Sequence, residues 1–159
     1  MLVIMKRNNM LKIISYIVVI LWMALIFKLS SQPAVESWKV SGEVTDINIK
    51  VIDKLTPNTK FNVNEFNHMV RKNAHFFIYL GLGVLTVNAL RKKGIVRYKY
   101  IALLICILYA ISDEFHQVFV PGRGPGVKDV LIDSAGALVG ILIYLGIKKI
   151  IKSDIHQLN

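Results

Sequence analysis

The sequence predicts an all-α fold: a bundle of four membrane-spanning helices with an amphipathic helical loop on the outer side of the membrane. Two observations carry this expectation. The 159-residue chain is 54% hydrophobic with a mean hydropathy of +0.51, yet it holds 20 Lys and Arg against 10 Asp and Glu, a net charge of +10. Charge and apolar residues also occupy separate stretches, so that apolar runs near the ~20 residues needed to cross hydrocarbon are punctuated by basic clusters. A basic nucleic-acid binder would spread its Lys and Arg over a polar surface, and a disordered chain would be far less apolar. Both classes are excluded, and no nucleic-acid partner is expected.

The four runs fall at residues 11–29, 74–90, 100–120 and 130–147, with a short segment at 1–10, a loop at 30–73 and a basic tail at 148–159. The first run resembles a signal peptide, with Lys6, Arg7 and Lys12 near an apolar core from Ile13 to Phe27. The following Leu29-Ser30-Ser31-Gln32-Pro33 offers no good small-x-small cleavage site, which predicts an uncleaved anchor. Basic clusters flank alternate runs: Lys6, Arg7 and Lys12; then Arg91, Lys92, Lys93, Arg97 and Lys99; then Lys148, Lys149 and Lys152. The positive-inside rule assigns all three to the cytoplasm, so both termini are expected there.

The loop at 30–73 goes outside. Its Lys39, Lys50, Lys54 and Lys60 are slightly outnumbered by Glu36, Glu43, Asp46, Asp53 and Glu65. Val44, Ile47, Val51 and Leu55 recur at helical spacing before Pro57, which predicts a short amphipathic helix lying on the membrane. Asn62 or Asn64 is placed to cap a further helix running through Phe66, Met69 and Val70 into the second run.

The informative residues are polar ones inside apolar runs. Arg71, His75 and Tyr79 follow at four-residue spacing and share one helical face. Asp113, Glu114 and Gln117 fall within about a third of a helix circumference, while His116 points elsewhere. Asp129 and Asp133 share a face with Gly136 and Gly140. The expected topology brings all these polar groups to the outer leaflet, where Pro121-Gly122-Arg123-Gly124-Pro125-Gly126 closes over them and holds Arg123 above the carboxylates. Each charge within a membrane costs on the order of 2.5 to 3.5 kcal/mol, so four carboxylates need partners. Arg71, His75, Arg123 and Lys128 are the available ones. The plain reading is a clamp between helices; the sharper one is a ligand pocket lined by Arg71, His75, Tyr79, Asp113, Glu114, Gln117, Arg123, Asp129 and Asp133. Gly136 and Gly140 form a small-residue stripe for close helix packing, with a homo-oligomer as one use of it. Cys106, alone between Ile105 and Ile107, is expected to be an inert packing residue.

Several blocks in order resemble the VanZ-like family of small bacterial membrane proteins, named for a member associated with teicoplanin resistance. They are Ser30-Ser31-Gln32-Pro33; Asn67-His68-Met69-Val70-Arg71-Lys72-Asn73-Ala74-His75-Phe76 with Tyr79; Asp113-Glu114-Phe115-His116-Gln117 with Pro121-Gly122-Arg123; and Asp129 with Asp133 and Gly136. The resemblance spans roughly residues 30–147. It implies a multipass protein of the bacterial cell membrane and envelope, linked in some members to glycopeptide antibiotic resistance.

Two function classes follow. The first is a binding or accessory protein whose outer pocket engages an amphiphile: a membrane lipid headgroup, a lipid-linked wall precursor or a lipoglycopeptide. The second is an intramembrane hydrolase or transferase acting on a lipid-linked substrate. There Glu114 would be the general base with His75 as its acid–base partner and Asp113 beside them, and Arg71 or Arg123 would clamp a phosphate. A variant holds a divalent ion by Asp113, Glu114, Asp129 and Asp133. Neither HExxH, a Walker A loop nor GxSxG occurs, so no cofactor and no metal are assigned from spacing.

Overall fold

A computed structural model describes residues 2–32, 63–121 and 126–157. Among them are four helices and no strand: α1 (Leu2–Ser30), α2 (Val63–Lys93), α3 (Tyr98–Gln117) and α4 (Val127–Gln157). The amphipathic helix expected around Val44 to Leu55, Asn62 as a cap and Arg123 lie outside the described residues, and Asn64, the other cap candidate, lies inside α2. The all-α expectation holds. Three stretches, Asn9–Ser30, Met69–Lys93 and Val127–Ile151, are long and apolar enough to cross a membrane.

The fourth expected span corresponds to α3 and does not reach that standard. At 20 residues it is ~30 Å long, about the thickness of hydrocarbon, but it carries Lys99 near one end and Asp113 and Glu114 near the other. Those carboxylates, with Gln117, are buried against the other helices. Its outer face is the apolar stripe Ile101, Leu104, Leu108, Ile111 and Phe115. Apart from Lys99 at its start, the charged residues that lower the apolarity of α3 therefore lie on its inner side.

α2 is the centre of the bundle and touches each of the other three helices, most extensively α4. Small residues make that closeness possible. A Cβ at Gly136 would collide with the carbonyl oxygen of Phe76, one at Gly140 with that of Leu80, and one at Gly83 with that of Ala137. The glycine stripe that spacing offers to a second copy is thus occupied within the chain. On the other side of α2, the Trp22 ring lies 2.7 Å from where a Gly81 Cβ would stand, and its indole N–H donates to the carbonyl of Ile78 at 2.9 Å. The Tyr109 hydroxyl ties α3 to α1 by donating to the carbonyl of Met23 at 2.6 Å. Val19, Ile26, Tyr79, Leu82, Ala89, Cys106, Ala110 and Ala137 fill the centre, with Cys106 packed as an inert residue should be.

The connection from α2 to α3 is short and stereochemically defined. Gly94 takes φ +76°, its N–H donates to Arg91 and the N–H of Ile95 reaches back to Leu90, the paired closure of a Schellman cap. Arg97, at φ 62°, starts α3 from a left-handed conformation. This end of the bundle also carries the exposed Arg91, Lys92, Lys93, Lys99, Lys148 and Lys149. Neighbouring contacts secure it: Arg91 Nε donates to Tyr144 Oη at 2.7 Å, Tyr144 Oη donates to Asn88 at 3.0 Å, and Lys92 donates to Ser15 at 2.9 Å.

Outside, α1 presents Ile13, Ile17, Ile20, Leu21 and Leu25, and α4 presents Leu131, Leu138, Leu142, Ile143 and Ile147. Apolar exposure on this scale would aggregate a water-soluble protein and suits a chain solvated by lipid tails. The α2–α4 contact yields a direct test. Gly140→Ala must push two backbones apart and is expected to cost about 1–3 kcal/mol. Gly146→Ala has nothing within 4 Å and is expected to be neutral or to stabilise by up to ~1 kcal/mol. Thermal unfolding of both variants in detergent micelles measures the difference.

Candidate functional site

The end of the bundle opposite the basic cluster gathers the C-terminal ends of α1 and α3 and the N-terminal halves of α2 and α4. Arg71, Lys72 and His75 from α2, Glu114 and Gln117 from α3, and Asp129, Ile132 and Asp133 from α4 line one small cleft. Its free volume is about 20 Å³, room for a single water or a bare ion. Six of the nine residues expected in a pocket therefore share it. Asp113 and Tyr79 lie buried beneath, at 2% and 0% exposure.

Asp113 is the best supported carboxylate. Ser30, fully buried at the last turn of α1, donates to its Oδ2 at 2.7 Å, and the Gln117 amide, one turn along α3, approaches the same oxygen at 3.4 Å. Both donors converge on Oδ2, and Oδ1 has no hydrogen-bond partner. Asp133 is more exposed to electrostatic cost: it is wholly buried, and neither of its oxygens has a hydrogen-bond partner. His75 Nδ1 stands 3.7 Å from its Oδ2, close enough for ion pairing and too far for a hydrogen bond.

The other two carboxylates sit nearer the surface. Glu114 Oε2 accepts the backbone N–H of Gly126 at 2.9 Å. The Gly126 carbonyl in turn accepts from Asp129 and Val130, so Glu114 on α3 anchors the first turn of α4. Asp129 Oδ1 is 2.9 Å from the Lys72 ammonium, with both side chains 28% exposed. Solvent screening limits such a pair to at most about 1 kcal/mol.

Lys72 is a residue that spacing missed, because Arg71 and Lys72 are adjacent and only the helix rotation decides which of them meets Asp129. Lys128, expected as a partner, is exposed. Ser30 is the second missed residue. The one signal for it was its place in the Ser30-Ser31-Gln32-Pro33 block, since 83 residues separate it from Asp113. His116 turns away as expected and stacks on Phe27 of α1, with ring centroids 4.2 Å apart.

Three groups of metal-ligating type come together. One ligating atom each from His75, Asp113 and Asp133 lies within 4.8 Å of the others, whereas Glu114 and Asp129 stand outside this set. The arrangement can bind a cation at its base and, through Arg71 and Lys72 at the mouth, face an anionic group.

The Ser30–Asp113 bond joins the first helix to the third, and it is testable by a double-mutant cycle. Ser30→Ala and Asp113→Asn are each expected to destabilise by about 1–3 kcal/mol, since each leaves a buried partner unsatisfied. The double variant is expected to lose less than the sum, with a coupling on the order of 0.5–3 kcal/mol. Unfolding measured in one detergent for all four proteins gives that number.

A family model described as VanZ/LLP1 matches residues 15–151, from near the middle of α1 to near the end of α4. No curated protein and no solved structure matches the chain. The match takes in α2, α3, most of α4, the second half of α1 and every residue of the cleft, and the apolar outer faces agree with it: the chain belongs to the VanZ/LLP1 family of membrane proteins.

Proposed function

We propose that this chain is a four-span protein of the bacterial cell membrane whose cleft opens to the outer leaflet and holds the polar head of an amphiphile. The observation that carries this reading is the pairing of a charged cleft with an apolar rim. Arg71, Lys72 and His75 face Glu114, Asp129 and Asp133, while the exposed Met69, Phe77, Phe115, Phe119, Val127 and Leu131 surround the same level of the helices. A lipid headgroup, a lipid-linked wall precursor or a lipoglycopeptide has the matching anatomy, a polar head joined to an apolar tail. Glycopeptide tolerance is the phenotype that the third of these ligands would produce.

Two further features support the topology. α3 runs beside three helices of which each is apolar enough to cross, and its own outward stripe is apolar, so the fourth crossing is made with polar groups turned inward. The exposed basic residues collect at the end remote from the cleft, which favours cytoplasmic termini by the positive-inside rule. The alternative, a hydrolase or transferase on a lipid-linked substrate, draws on His75 beside Asp133. Its expected base, Glu114, is engaged in holding the Gly126 N–H.

Native mass spectrometry of the protein released from membranes tests the reading. The wild type is expected to retain phospholipid or an added lipid-linked wall precursor, the Arg71→Ala/Lys72→Ala variant several-fold less, and the Lys148→Ala/Lys149→Ala variant as much as wild type. A wild type that retains neither, together with an Asp113→Asn strain whose envelope is normal at normal protein abundance, would sink it. A carboxy-terminal green fluorescent protein is expected to fluoresce and alkaline phosphatase at the same place to be inactive. The reverse pattern would put the cleft at the inner leaflet.

A further inference from the structure

We propose that His75, Asp113 and Asp133 form the binding site of a divalent transition-metal ion at the base of the cleft. The three come from three different helices, α2, α3 and α4, and their ligating atoms already lie within 4.8 Å of one another. Metal–ligand bonds of ~2.0–2.2 Å set neighbouring ligand atoms about 3.3–3.6 Å apart in a tetrahedron. The His75–Asp133 separation of 3.7 Å is close to that, and small carboxylate rotations close the rest.

A cluster of this kind needs a second sign of a ligand, and the unpartnered atoms supply it. Asp133 is 0% exposed with both oxygens unpartnered, and Asp113 is 2% exposed with Oδ1 unpartnered. The hydroxyl of Tyr79, one turn past His75 and also 0% exposed, is unpartnered as well. Buried carboxylates left without hydrogen bonds are costly, and two of them side by side add mutual repulsion. One imidazole 3.7 Å away offsets little of that, whereas a dication among the three offsets both charges.

The surroundings of Asp113 fit a ligand role. Ser30 and Gln117 both donate to Oδ2, which fixes the carboxylate and leaves Oδ1 without a partner. Outer hydrogen bonds of this type are how proteins orient carboxylate ligands. The adjoining cavity of about 20 Å³, lined by His75 and Asp133, leaves space for a water in a remaining coordination position. One nitrogen and two carboxylate oxygens suit Zn²⁺, Mn²⁺ or Fe²⁺; Ca²⁺ and Mg²⁺ prefer oxygen alone. The site stands independently of the amphiphile reading, because it is assayed without lipid.

The test uses the full chain, purified in detergent with its affinity tag removed. Inductively coupled plasma mass spectrometry is expected to find about one Zn, Mn or Fe per chain. After chelation, adding ZnCl₂ or MnCl₂ is expected to raise the thermal midpoint. His75→Gln and Asp133→Asn are expected to weaken binding by on the order of ten-fold or more, and Ser30→Ala by a smaller factor. Lys149→Ala, exposed at the opposite end of the bundle, is expected to bind as wild type. Should Asp133→Asn fail to fold, His75→Gln and the wild-type titration decide. Folded wild-type protein with no bound metal and no shift on adding either salt would overturn the proposal. So would folded His75→Gln and Asp133→Asn variants that keep the full metal content.

Discussion

Two carboxylates that the fold buries completely, Asp113 and Asp133, set the terms for the polar end of this bundle. Neither can be exposed to lipid, because hydrocarbon offers no hydrogen bonds, so both turn inward between helices whose outer faces are apolar. Their placement requires α3 and α4 to meet α2 at one level. Close approach of α2 and α4 follows from Gly83, Gly136 and Gly140, which let backbone rest on backbone. Ser30 then brings the end of α1 to Asp113, and Gly126 brings the start of α4 to Glu114. Removing the carboxylates would leave a simpler bundle with no reason for these tethers.

The two ends of the molecule divide the charge between them. At one end the cations are exposed, attached to side chains that reach out from helix termini, and their neighbours are Tyr16, Tyr144, Asn88 and Ser15. At the other, anions and cations face each other in a cleft, and the least solvated groups lie deepest. Part of the net charge of +10 is thus carried by exposed cations at the end away from the cleft.

Much of this was legible in the sequence. Hydrophobic run lengths located α1, α2 and α4, and helical spacing grouped Arg71 with His75, which line one cleft, and turned His116 away, where it stacks on Phe27. Spacing also grouped Asp113 with Glu114 and Gln117. Other features depend on tertiary detail that no local pattern carries. Which of Arg71 and Lys72 meets Asp129 depends on a 100° step of helix rotation. The Ser30–Asp113 bond joins distant parts of the chain, and a serine ending a helix reads locally as an ordinary cap. The glycine stripe announced a close helix contact without saying which helix, and α2 took it. α3 looked like a full span by its apolar count but falls short because its inward side carries the site.

The central claim is that the cleft between Arg71, His75 and Asp133 is a binding site at the level of the lipid headgroups. A high-resolution structure determined in a lipid bilayer tests it most directly. The arrangement predicts non-protein density in the cleft, continuous with an acyl chain along the exposed faces of Phe77 or Phe115, at the headgroup level of the outer leaflet. A cleft closed by the chain's own side chains, with no acyl chain leading from it, would contradict it.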